Sequence, residues 1–284
     1  MTRARLVSRL ATFGLLLLPS VATGQVVRSG AGTTNVDAAL LAARDAFRVD
    51  VGGGTTAAAN GSFGGVRREI NWDGVPASQA TPNNLNANFF NTTSPRGVLF
   101  STPGTGFRVS SATSDPSAAP VNFGDINAAY SATFQAFSPQ RLFTAIGSNM
   151  LDVNFYVAGT TTAALTNGFG AIFSDVDLQG STSLQFFDVN NLSLGTFNAG
   201  IGVFSFLGVS FGTPSISRVR ITSGNGALGA GINDGGQTDL VVMDDFIYGE
   251  PSPTSTVPEP SSFVLTAFAG AMLWIGVRLR NKPF

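Results

Sequence analysis

The chain has 284 residues, no Cys and no His, and a formal net charge of −1. Those two absences remove disulfides, the Ser-His-Asp triad, the usual zinc ligand sets and the commonest general base together. Residues 25–250 carry sixteen acidic against ten basic side chains, so a basic stripe for phosphate contacts is missing and nucleic acid is not an expected partner.

Arg3, Arg5 and Arg9 precede an apolar stretch over residues 10–18, Pro19 breaks it, and Ala22-Thr23-Gly24 supplies small residues. This is the pattern of a secretory signal over residues 1–24, cut after Gly24 so that the mature chain starts at Gln25. The alternative, an uncleaved anchor, needs a longer apolar run to span comfortably.

Within residues 35–48, Val36, Leu40, Ala43 and Phe47 fall at helical spacing. Asn35 is placed to cap, Asp37 favours the N-terminal dipole, and Arg44 and Arg48 favour the C-terminal one. One short helix packed on a sheet is expected here. Residues 66–74 read as an edge strand ending in the Asp73-Gly74 turn, and residues 96–100 and 106–110 as a hairpin around Thr102-Pro103-Gly104.

From residue 141 onward the period-two pattern is clear. Leu151, Val153, Phe155 and Val157 alternate with more polar residues, as in a strand with one wet face. Further strands are expected at residues 169–176, 183–189, 193–197, 203–211, 218–222 and 240–248, with Asn190-Asn191 as a tight hairpin turn. Short, Phe- and Val-rich strands separated by Gly and Asn turns point to a mainly β fold. The expected form is an antiparallel β-sandwich, jelly-roll-like, occupying residues 25–250 as one domain with the 24 Phe mostly in its core.

Three acidic groups stand out. Asp175 and Asp177 lie two residues apart, on one side of an extended chain at a strand end. Asp244 and Asp245 lie in the last strand, where alternation sends one inward and one outward, and Asn233-Asp234-Gly235-Gly236 with Asp239 makes an oxygen-rich loop. Hard oxygen donors at turns suit Ca2+, and a structural Ca2+ site is expected from Asp175, Asp177, Asp244 and Asp245. The competing reading is that these aspartates cap turns by accepting backbone N–H bonds. Trp72, between Asn71 and Asp73, is the aromatic best placed to stack on a sugar, or else a packing residue of the sandwich.

Residues 251–260 form a linker with Pro251, Pro253, Pro258 and Pro260, which resists helix and sheet interiors. Residues 261–277 carry no charge, and as a helix would be about 25 Å long, enough for one short transmembrane helix. Trp274 suits the interface, and Arg278, Arg280 and Lys282 in the basic end, residues 278–284, place that end in the cytoplasm.

The order of parts across residues 257–282, with Pro258-Glu259-Pro260, the apolar run and the basic end, resembles the PEP-CTERM sorting tail of exported Gram-negative proteins. The resemblance implies an exosortase as partner, removal of the span near Pro258, Glu259 and Pro260, and a destination at the cell surface or in the extracellular matrix. An ordinary single-pass anchor is the alternative. Residues 168–188 with 241–248 resemble, diffusely, jelly-roll and lectin-like domains, which implies carbohydrate binding without naming a contact residue. The expected function is an exported, non-enzymatic envelope or matrix protein that binds exopolysaccharide. The alternatives are an extracellular polysaccharide hydrolase or lyase using aspartates, and a purely structural surface protein.

Overall fold

The computed structural model describes residues 24–254. Residues 1–23 of the signal segment, Pro258, Glu259 and Pro260, the apolar run of residues 261–277 and the basic end lie outside the described residues. In chain order the first elements are β1 (Val26–Gly32), α1 (Ala38–Asp50), β2 (Arg67–Ile70), β3 (Val98–Ser101), β4 (Gly106–Val109) and the single turn α2 (Tyr130–Thr133). The remainder is strand: β5 (Phe143–Ile146), β6 (Met150–Phe155), β7 (Ala164–Leu165), β8 (Gly168–Val176), β9 (Ser183–Phe187) and β10 (Ser193–Asn198). The last four are β11 (Gly202–Ser210), β12 (Arg218–Thr222), β13 (Val242–Gly249) and β14 (Ser252–Pro253).

Two antiparallel sheets pack together, one of seven strands in the order β1-β11-β8-β13-β5-β4 with β2 also on β13, the other of five in the order β10-β9-β12-β6-β3. In β6 the alternation holds, with Leu151, Val153 and Phe155 buried between the sheets and Asp152 and Asn154 half-buried on the other face. Strand β8 is buried on nearly every residue because the second sheet covers one face and α1 the other. That explains its continuous apolar run where a half-wet strand would alternate. The main core holds Phe100, Phe107, Phe143, Phe155, Phe169, Phe246 and Tyr248 in edge and tilted contacts.

Helix α1 buries Leu40 and Phe47 against Ile172, Phe204, Phe206 and Ile247. Two glycines let it come close: a Cβ at Gly30 would collide with the carbonyl of Ala39, and one at Gly208 would sit 2.7 Å from the Phe47 ring. The N-cap is Asp37 instead of Asn35, its carboxylate accepting the Ala39 N–H at 3.1 Å. Asn35 instead donates to the Phe137 carbonyl at 3.2 Å, and Val36 stays exposed.

The expected hairpin of residues 96–110 does not form. Strand β3 pairs with β6 and β4 with β5, so the link through Thr102-Pro103-Gly104 carries the chain from one sheet to the other. Phe100 and Phe107 thereby face each other across the core at 5.7 Å, a contact that two neighbours in one sheet would not need a corner to make. The hairpin at Asn190-Asn191 does form, with the Asp188 carboxylate accepting the Asn190 and Leu192 N–H groups at 2.8 Å each. Among the described residues no helix is long and apolar enough to cross a membrane.

Candidate functional site

Strand β8 ends in an acidic corner. Asp175 takes a left-handed backbone angle, φ 73°, and the chain then turns through Asp177 away from the sheet. The loop before β13 brings Asp234 to the same place, and one carboxylate oxygen from each of Asp175, Asp177 and Asp234 lies within 4.8 Å of the others. Asp239, fully buried, ties the two loops together by accepting the N–H of Asp177 at 3.1 Å, the N–H of Leu178 at 3.2 Å and the hydroxyl of Ser181. Asp234 accepts the Leu240 N–H at 2.8 Å.

The turn-cap reading therefore describes Asp239 and Asp234. It does not describe Asp175 or Asp177, whose carboxylates accept no hydrogen bond from the described residues. Burial first, and then the charges of Asp234, Asp177 and Asp239, push the Asp175 carboxyl up to about 7. Asp234 is also raised, again by burial first. Crowded carboxylates that repel one another and still face solvent through Asp177 form a hard-oxygen donor set, suited to Ca2+ and unsuited to the softer metals that want nitrogen or sulfur.

Asp244 and Asp245 are not part of this group. Their strand does lie beside β8, with Val242 opposite Ser174 and Met243 opposite Phe173, but the register then slips so that Phe246 faces Ala171. Both aspartates thus stand opposite Ile172 in a β-bulge, and neither follows the in-and-out alternation: Asp244 is fully buried and Asp245 is 7% exposed. Asp244 accepts the Phe137 N–H at 2.7 Å and the Ser138 hydroxyl at 2.9 Å, so it anchors the loop before β5. Burial, and then the neighbouring Asp245, hold Asp244 well above the ordinary carboxylate range, and burial raises Asp245 too.

Trp72 is 1% exposed and cannot present a face to a sugar. It stacks on Phe143 and meets Phe90 and Phe246 edge-on, while its indole N–H donates to the Asp244 carbonyl at 2.8 Å. Tyr130 is likewise buried, its hydroxyl donating to the Ile232 carbonyl at 2.7 Å.

No family model and no curated protein matches this chain. Among solved structures, the enzymatically active domain of bacteriophage CBA120 tailspike protein 4 is 12% identical, with 58% of this chain and 20% of that chain covered, at a TM-score of 0.22. A likeness that slight carries no argument about fold or activity.

Asp234 is the member of the acidic corner that strand spacing did not single out. Its signal was the oxygen-rich run Asn233-Asp234-Gly235-Gly236, which marks a turn. Nothing in a turn's composition says which strand end it folds against.

Proposed function

We propose that this chain is an exported, surface-sorted, non-enzymatic envelope or extracellular-matrix protein whose sandwich contacts exopolysaccharide. The observation that carries the reading is the tail: Pro258-Glu259-Pro260, an uncharged run and a basic end, behind a β domain. The way the chain leaves that domain supports it. Ser252–Pro253 pairs with Ala164–Leu165 at the surface, and Ser252, Pro253 and Thr254 are exposed, as are Gly24, Gln25 and Val26 at the other end. Both processing junctions thus adjoin accessible chain, where a signal peptidase and an exosortase need it. Sequential strands that alternate between sheets, β8 in one, β9 and β10 in the other, β11 back in the first, support the jelly-roll reading. In this proposal Asp175, Asp177 and Asp234 hold a structural Ca2+ ion that joins the end of β8 to the loop before β13.

The test is retention of the purified protein on polysaccharide secreted by the same cells, with reducing ends measured in parallel. Retention without release of reducing ends is the expected result. Release of reducing ends would replace this reading with a polysaccharide hydrolase, and absence of retention would leave a purely structural surface protein.

A further inference from the structure

A strand at the edge of a sheet offers a row of unpaired backbone groups to any chain that comes near, and folds usually blunt such edges. Most edges here are blunted. Along β4 the Phe107 and Val109 carbonyls accept the Leu85 and Thr81 N–H groups at 2.9 Å each, along β3 the Phe100 N–H donates to the Ala87 carbonyl at 3.1 Å, and along β2 the Arg67 carbonyl accepts the Phe63 N–H at 2.9 Å. Strand β10 is broken by a bulge between Ser193 and Gly195, the latter at φ 136°. Strand β1 has none of these protections. It pairs with β11 over all seven residues without a break in register and holds no Pro or Lys, and among the described residues nothing bonds to its other edge.

The ladder tells which groups are free. Phe211 donates its N–H to the Asn167 carbonyl at 2.8 Å, in line with the β11–β8 register, so by alternation the odd-numbered residues of β11 bond to β8 and the even-numbered ones to β1. Those even-numbered residues face Val26, Arg28, Gly30 and Gly32, which leaves the N–H and C=O groups of Val27, Ser29 and Ala31 pointing outward. Helix α1 does not obstruct them. The side of the helix from which Asp50 reaches Arg28 carries Ala39, Ala42 and Ala46, all small.

The residues of β1 also select the partner. Ser29 is the midpoint of the strand, and two copies paired antiparallel about it put Val26 opposite Gly32, Val27 opposite Ala31 and Arg28 opposite Gly30. Every large side chain then meets a small one, and every outward backbone group finds its counterpart. Other registers do worse. Centring the pair on Arg28 sets two guanidinium groups face to face, and centring it on Gly30 carries Val27 past the end of the partner strand.

We propose that β1 is a self-association edge, through which a second copy of this chain adds its own β1 so that the two seven-stranded sheets run on into each other across Ser29. This pairing does not depend on the matrix reading or on any glycan. The chain has no Cys, so one introduced thiol reports one contact, and at the centre of such a pair a residue lies about 5.5 Å from its counterpart, Cα to Cα. In the purified full chain in detergent, Ser29→Cys is expected to give a covalent dimer with a short bismaleimide. Ser101→Cys, exposed on β3 at the far side of the sandwich, is expected to keep the monomer's mass. Ser29→Lys, which opposes two ammonium groups at the same point, is expected to weaken dimerisation at least tenfold in sedimentation equilibrium while the circular dichroism stays that of the parent. A parent chain that sediments as a monomer at every concentration, cross-linking of both thiols alike, or a dimer indifferent to Ser29→Lys would overturn the proposal.

Discussion

Trp72 and Phe143 lie face to face in the middle of the sandwich, ring centroids 4.0 Å apart and planes 7° from parallel. The pair joins the segment after β2 to β5, and the indole N–H fixes the bulge of β13 through the Asp244 carbonyl. Truncating a buried aromatic of this kind costs about 3–5 kcal/mol. At about 2 to 4 °C per kcal/mol for a domain of this size, Trp72→Ala is expected to lower the melting temperature by roughly 10 °C. Trp72→Phe, which loses the indole donor but keeps a ring, is expected to cost less. If Trp72→Ala melts like the parent protein and loses only glycan binding, Trp72 is a ligand platform and the packing account fails.

The acidic corner predicts a response to divalent metal. A ligand that binds only the folded state adds about 2.7 kcal/mol at a hundredfold excess over its Kd, so millimolar Ca2+ is expected to raise the melting temperature by several degrees over EDTA. Asp175→Asn and Asp234→Asn are each expected to abolish that increment. Asp245→Asn is expected to leave it intact, whatever its own baseline. Identical curves in Ca2+ and EDTA would show that the three carboxylates hold no ion.

A separate group predicts a pH dependence. Burial pushes the Asp73 carboxyl up to about 6, against the opposing backbone bond and charge of Arg141 and with the Asp245 charge adding to it. Its Oδ1 has no partner among the described residues. Because the folded value lies above the ordinary 3.8, the folded state binds the proton more tightly and ionising Asp73 destabilises the fold as pH rises through this window. The penalty is absent below about 4 and complete above about 6. Asp73→Asn removes it, so the variant is expected to gain stability relative to the parent at pH 8 and to show no gain at pH 4. Denaturant midpoints across that range decide the matter; a gain of equal size at both ends would refute the assignment.

Sorting gives a fourth test. Glu259→Ala is expected to leave full-length protein in the inner membrane, with Arg278 and Lys282 still attached, whereas the parent protein loses that end. Mass spectrometry of the C-terminal peptide separates the two. Equal retention in both proteins would favour an ordinary anchor over exosortase processing.

Much of this fold was legible from residue 141 onward because those strands carry either their own alternation, as in β6 and β12, or a continuous apolar run bounded by turn residues, as in β8 and β13. The expected strand of residues 218–222 coincides with β12, and those of residues 169–176 and 240–248 overlap β8 and β13 to within two residues at each end. Strand β1 was not legible: Val26 and Val27 are exposed and the rest of the strand is glycine, alanine and polar residues, chosen for closeness to α1 and not for burial of its own side chains. The hairpin of residues 96–110 was misread because a Pro-Gly corner between sheets has the same composition as a turn within one. The acidic site was half legible. Asp175 and Asp177 announce themselves by spacing, but their third partner depends on which loop folds over the strand end. The bulge that removed Asp244 and Asp245 from the site changes register by one residue, and only the neighbouring strand's pairing records that shift.

The position of β13 has a bearing on when this domain can fold. Among the described residues it is the last long strand, yet it lies inside the seven-stranded sheet, with β8 on one edge and β5 and β2 on the other. A chain that leaves the ribosome or a translocon N-terminus first therefore exposes β2, β5 and β8 before the strand that joins them exists. Loop closure over such separations is slow and precedes the gain from pairing. Until about residue 249 is available, the strand that joins β8 to β5 and β2 is missing, so the seven-stranded sheet closes only once almost all of residues 24–254 have been made.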